Sequence, residues 1–118
     1  MIGTEFGIID NFDAHGDYTK YTPEKYHCVV IDDDLYLNDW WLALSQINAI
    51  NVSSNRILQP QKSLSRWGIT IIPPESLPSF LEIVVSDKRY ATDKSLVALA
   101  EIIRKAIEDE KYMIHYGI

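Results

Sequence analysis

Two consecutive prolines, Pro73 and Pro74, constrain the fold of this chain more than any other feature. Each removes a backbone donor and pushes its predecessor away from the helical region, so neither a strand nor a helix can run through the pair. Before them, Trp67, Ile69 and Ile71 alternate with Gly68 and Thr70, the period-2 pattern of a strand with one packed face. After them, Leu77, Phe80, Leu81, Val84 and Val85 fall at helical spacing and make one apolar stripe. Pro78 is tolerated only in a first helical turn, which locates the helix start and makes Ser76 its N-cap. Arg66 to Val85 is therefore predicted as strand, stop and helix, the unit on which the remainder packs.

The same signals give the other elements. Phe6–Ile9 is either a short first strand or a terminal arm. Asp10 to Lys25, rich in Asp, Asn, Gly, Thr, Pro and Tyr and lacking a sustained period, is predicted as a loop. Tyr26–Ile31 is apolar and β-branched, a buried strand that stops at Asp32, Asp33 and Asp34. Leu37, Trp40, Trp41, Leu44 and Ile47 define a short helix capped by Asn38, on which two adjacent tryptophans must point in different directions. Residues 48–65 are predicted as a long polar connection, with a short strand possible around Val52, Ile57 and Leu58. Thr92 or Asp93 caps the longest helix, whose buried face is Leu96, Leu99, Ala100, Ile103 and Ile107 and whose outer face carries a Glu101–Lys105 pair. Tyr112–Tyr116 alternates as a final strand. The expected architecture is a single α+β domain over residues 1–118, with a mixed or antiparallel sheet of four to five strands packed by three helices.

Charge narrows the function classes. The net charge is −6, and residues 1–39 hold nine carboxylates against only Lys20 and Lys25, a local balance of −7, whereas residues 40–74 hold no acid at all. Such a field repels phosphate backbones and steers basic partners inward, so a protein partner is expected and nucleic acid is not. Neither an apolar run long enough to span a bilayer nor a secretory leader pattern is visible, so a cytoplasmic location without a membrane partner is expected.

Catalytic signatures are sparse. Asp13, His15, Asp17, Thr19 and Glu24 reproduce the ligand spacing of a calcium loop, but Tyr18 stands where the turn needs glycine and Pro23 where the exiting helix should begin. The competing reading is an acidic loop whose side chains cap their own backbone. Asp32, Asp33 and Asp34 follow a strand end, where a metal-dependent hydrolase could use them with His15 or His27, but nothing in the spacing selects that chemistry and a solvated strand-to-helix turn is the preferred reading. His27 and His115 fall in predicted strands. The single cysteine, Cys28, cannot form an internal disulfide and has no base near it in sequence. There is no Gly-x-Ser-x-Gly elbow and no phosphate-binding glycine loop. Neither a cofactor nor a metal is expected.

At WGITIIPPESL (Trp67–Leu77) and KYMIHYGI (Lys111–Ile118) the chain resembles small, mostly uncharacterised bacterial cytoplasmic proteins, some of which accompany secreted or contact-delivered toxins as immunity partners. The resemblance implies a non-catalytic inhibitor, not an enzyme, and carries no binding residues with it. A separate physical argument supplies candidates, because an inhibitor of a basic toxin offers carboxylates interleaved with aromatic anchors. Asp10, Asp13, Asp17, Tyr18, Tyr21, Asp32, Asp33, Asp34, Tyr36 and Trp40 are the expected partner-binding residues. The alternatives are the hydrolase on Asp32–Asp34 and a homo-oligomer, such as a homodimer, using the Trp40–Trp41 helix.

Overall fold

In the computed structural model, which describes residues 3–52 and 58–117, one antiparallel sheet carries three helices. Its strands are β1 (Gly3–Ile9), β2 (Val29–Asp32), β3 (Asn48–Val52), β4 (Leu58–Lys62), β5 (Ile69–Ile72) and β6 (Tyr112–Tyr116). The helices are α1 (Asn38–Leu44), α2 (Leu77–Val85) and α3 (Lys94–Glu108). Strand order is β2-β1-β6-β5-β3-β4, so the first and last strands pair with each other inside the sheet.

Six strands replace the expected four to five, because the polar stretch 48–65 contains a hairpin, β3 with β4, rather than one long connection. β4 reads Leu58-Gln59-Pro60-Gln61-Lys62 and lies at the sheet edge. An edge strand is covered less than an inner one and tolerates proline, so it lacks the alternating pattern that reveals an inner strand. Ile57, expected in that strand, lies outside the described residues.

Each face of the sheet carries its own core. On the helix face Phe6, Ile31, Ile72 and Met113 meet Leu77, Phe80 and Val84 of α2 and Leu96, Leu99 and Ile103 of α3. The Phe6 and Phe80 rings lie 5.1 Å apart. On the opposite face Ile9, Ile71, Ile114 and Tyr116 are covered by Tyr18 and Tyr26. The segment between β1 and β2 is thus a packed cover and not the free loop predicted from its composition. Its aromatics do the work: Phe12 stacks on Tyr112 at 4.0 Å and on Tyr18 at 5.7 Å. Gly7 makes room for this cover, since a Cβ there would lie 2.7 Å from Tyr26 Cβ and 2.8 Å from Cys28 Sγ.

Local start and stop signals hold with adjustments. Tyr26 belongs to a short 3₁₀ turn, Pro23–Tyr26, and His27 adopts a left-handed conformation (φ 52°), so β2 begins only at Val29. Asp33–Leu37 forms a π-turn that runs directly into α1. The cap of that combined segment is Asp32, whose carboxylate accepts from Leu35 N–H at 3.0 Å, and not Asn38. Ser76 stands before α2, but its hydroxyl donates to the Asn48 carbonyl at 2.6 Å instead of capping. Asp93 caps α3 through Ser95 N–H, and the Lys105 ammonium faces Asp109 at 3.8 Å.

Candidate functional site

The ten expected partner-binding residues do not form one compact cluster. β1 separates them: Asp32 pairs with Gly3 at one end of the strand, and Asp10 follows Ile9 at the other. Seven residues of extended chain put these ends roughly 23 Å apart.

At the Asp10 end, Asp10 is ion-paired to Lys111 at 2.9 Å, and that ammonium holds its carboxyl below the usual range. Asp13 accepts from His15 N–H at 2.8 Å, and Asp17 from Thr19 N–H at 3.0 Å. These side chains cap their own backbone, as the alternative to the calcium loop requires. Tyr18 is buried, with its hydroxyl accepting from Asp13 N–H. Tyr21 is 63% exposed and donates to Glu5, and this hydrogen bond to a carboxylate pushes the phenol up to about 12.

At the Asp32 end the three aspartates take three separate roles. Asp32 caps, Asp34 is exposed, and Asp33 is buried against Arg66, whose Nε and Nη2 donate to one carboxylate oxygen at 3.1 and 2.9 Å. Among the described residues no three His, Cys, Asp or Glu side chains converge as a metal site. Tyr36 and Trp40 are buried too. The Tyr36 ring lies under the Arg89 guanidinium at 4.5 Å, and Trp40 Nε1–H donates to Asp87 at 2.8 Å. Asp33, Tyr18, Tyr36 and Trp40 therefore stand inside the protein, while Asp10, Asp13, Asp17, Tyr21 and Asp34 are exposed.

Nucleophilic chemistry has little foothold. Burial, and then the Glu5 and Glu24 charges, push the Cys28 thiol up to about 12, so it stays protonated. His115 is fully buried and burial lowers it to about 3. The groove between α1 and α2, about 660 Å³, is floored by Trp40, Ala43 and Ile83. Three of its polar side chains are committed to one another, because Arg89 donates to both Asp87 and Asp39.

Sequence reasoning missed one cluster. Trp67, expected on the packed face of a strand, lies outside β5 and is 75% exposed. The Arg66 guanidinium sits between it and Trp41, 5.6 and 5.5 Å from the two ring centroids. The only sequence signal was the adjacency of an arginine to a tryptophan, which a strand explains as well.

In its fold the chain is similar to the Neisseria DNA mimic protein DMP12. The likeness covers 97% of this chain and 98% of that one, at a TM-score of 0.52 and 15% identity. No protein-family model matches the sequence, and no curated protein matches it. Among the described residues no helix is long and apolar enough to cross a membrane.

Proposed function

We propose that this chain is a non-catalytic, acidic protein-binding domain that presents carboxylates to the nucleic-acid-binding surface of a basic protein. The observation that carries the reading is the placement of acid at both ends of β1. Asp10, itself paired to Lys111, stands at one end with Asp13 and Asp17 following it, and Asp32 and Asp34 stand at the other, roughly 23 Å away along the strand. One compact cluster would suit a single cation, whereas a spread of this length suits an extended basic surface. Duplex DNA offers such a surface phosphates along its whole axis. The fold it shares with a protein described as a DNA mimic supports the same reading. An immunity-type inhibitor of a nucleic-acid-directed toxin is its most specific form, because such a toxin carries a basic cleft that carboxylates can fill.

Affinity capture with the tagged chain from its host's lysate at low salt tests this. The expected result is a stoichiometric basic protein that is released both by high salt and by an added short duplex. A partner that neither salt nor duplex displaces would overturn the reading. For the immunity form, expression of the captured partner alone should arrest growth, and co-expression of this chain should restore it.

A further inference from the structure

Trp67 is an exposed indole on a rigid mount. Gly117 N–H donates to the Gly68 carbonyl at 2.7 Å, and Ser65 N–H donates to Thr70 Oγ1 at 2.7 Å, fixing the turn on either side of it. Gly117 packs so closely beneath the turn that a Cβ there would lie 2.1 Å from the Arg66 carbonyl oxygen. The side chains are fixed as well, since Asp33 holds Arg66 by two hydrogen bonds and Arg66 lies against both Trp41 and Trp67. Leu42, which follows Trp41 in α1, is 82% exposed, and Asp34, which follows Asp33, is exposed too.

We propose that Trp67, which shares the Arg66 guanidinium with Trp41, is the anchor of the protein-binding surface and takes an arginine side chain of the basic partner on its open face. This rests on the proposed function and names the chemistry of its central contact. Three physical points lead there. An exposed tryptophan ringed by polar groups has the anatomy of an interface hot spot. Its mount is already ordered, so little conformational freedom is lost on binding. Asp33 neutralises Arg66, and the next residue, Asp34, is an exposed carboxylate, so the electron-rich indole stands at an end of the protein with excess negative charge. That combination attracts a guanidinium through both its charge and its plane, and a guanidinium stacks on indole more readily than an ammonium does.

The test follows the tryptophan indole N–H resonances while the intact chain is titrated with a short Arg-Gly repeat peptide, and separately with its Lys-Gly counterpart, at low and at moderate salt. The Trp67 signal, assigned by its loss in Trp67→Phe, should move furthest, and further with the arginine peptide than with the lysine one. Trp67→Ala should weaken arginine-peptide binding about fivefold. Asp13→Asn with Glu24→Gln should leave the preference for arginine intact. If the peptide binds but Trp67 stays still and Trp67→Ala binds as well as the native chain, the anchor is wrong while the acidic-domain reading survives. If neither peptide binds the native chain even at low salt, both fall. If the chain instead associates with itself in light scattering, and Trp67→Ala abolishes that, the patch belongs to a second copy and the proposal is overturned.

Discussion

A single carboxylate oxygen of Asp33 accepts both hydrogen bonds from Arg66, while its other oxygen, Oδ1, is buried without a partner among the described residues. The pair joins the end of β2 to the turn that carries Trp67, two segments far apart in sequence. Loss of Arg66 would strand a buried charge, which costs far more than the intact pair contributes. Arg66→Ala is therefore expected to destabilise the fold by about 3 kcal/mol in urea denaturation. Replacing both residues by apolar ones of similar volume, Asp33→Leu with Arg66→Met, should recover most of that loss. A single-variant cost below about 1 kcal/mol would show that Asp33 is better solvated than its burial indicates.

Burial of His115 is expected to weaken the fold in acid. Its ring is buried 4.8 Å from the Phe6 centroid, with Nε2 2.6 Å from Thr4 Oγ1 and Nδ1 unpartnered. Thr4 Oγ1 also donates to the Tyr116 carbonyl at 3.2 Å, so the network assigns the ring proton to Nε2. Burial lowers the imidazole to about 3 from its usual 6.5, so the unfolded chain binds the proton first. The contribution of His115 is complete above about pH 6.5 and is lost as pH drops toward 3, by about 1.4 kcal/mol per unit. In thermal melts between pH 7 and 4.5, His115→Phe should flatten the fall in Tm, whatever it does to Tm at pH 7. An unchanged slope would mean that the native state accommodates the proton.

The elements most legible in sequence are those whose residues satisfy only local demands. The final strand was readable because Met113 and His115 face the helices while Tyr112, Ile114 and Tyr116 face the other way, and α3 because Leu96, Leu99, Ala100 and Ile103 are all buried on one stripe. What the sequence concealed depends on contacts between distant segments. The cover formed by Phe12, Tyr18 and Tyr26 looks like loop composition until Tyr112 and Tyr116 lie beneath it. The candidate surface suffered most. Aromatics interleaved with acids suggested anchors, yet Tyr36 and Trp40 serve the core, and the exposed tryptophan came from the stretch with no acid. Residue type carries the charge of a face, and only packing decides which aromatic reaches it.

The turn after α3 ends the helix with an ill-suited residue. Glu110 N–H donates to the Ile107 carbonyl and Lys111 N–H to the Ala106 carbonyl at 2.8 Å, the hydrogen-bond pattern of a Schellman cap. Glu110 occupies its left-handed position (φ 56°), where glycine has no Cβ penalty. Its carboxylate also sits at the negative end of the helix dipole. Glu110→Gly is expected to stabilise the protein by about 1 kcal/mol, read as a rise in Tm of several degrees. A fall in Tm would show that glycine's extra unfolded-state entropy outweighs both effects.

Asp87 ties α1 to the connection between α2 and α3. Its Oδ2 accepts from Trp40 Nε1–H at 2.8 Å and Arg89 Nη2 at 2.7 Å, while Oδ1 accepts from Arg89 N–H and Nε. Arg89 in turn donates to the Leu35 carbonyl at 3.1 Å and to Asp39 at 2.8 Å. Asp87→Ala would leave the buried Trp40 indole N–H without an acceptor and is expected to cost about 2 kcal/mol. Trp40→Phe should cost less in the Asp87→Ala background than in the native one, because the hydrogen bond it removes is already gone; additivity of the two would deny the coupling. The Arg89 hydrogen bonds hold the Asp87 carboxyl well below the usual carboxylate range. Its contribution is therefore present above about pH 4 and is lost as pH falls through the lower folded value, a window that lies mostly below the one set by His115. In acid titrations of stability, Asp87→Asn should flatten the curve below about pH 4 and leave the slope between pH 6.5 and 4.5 unchanged.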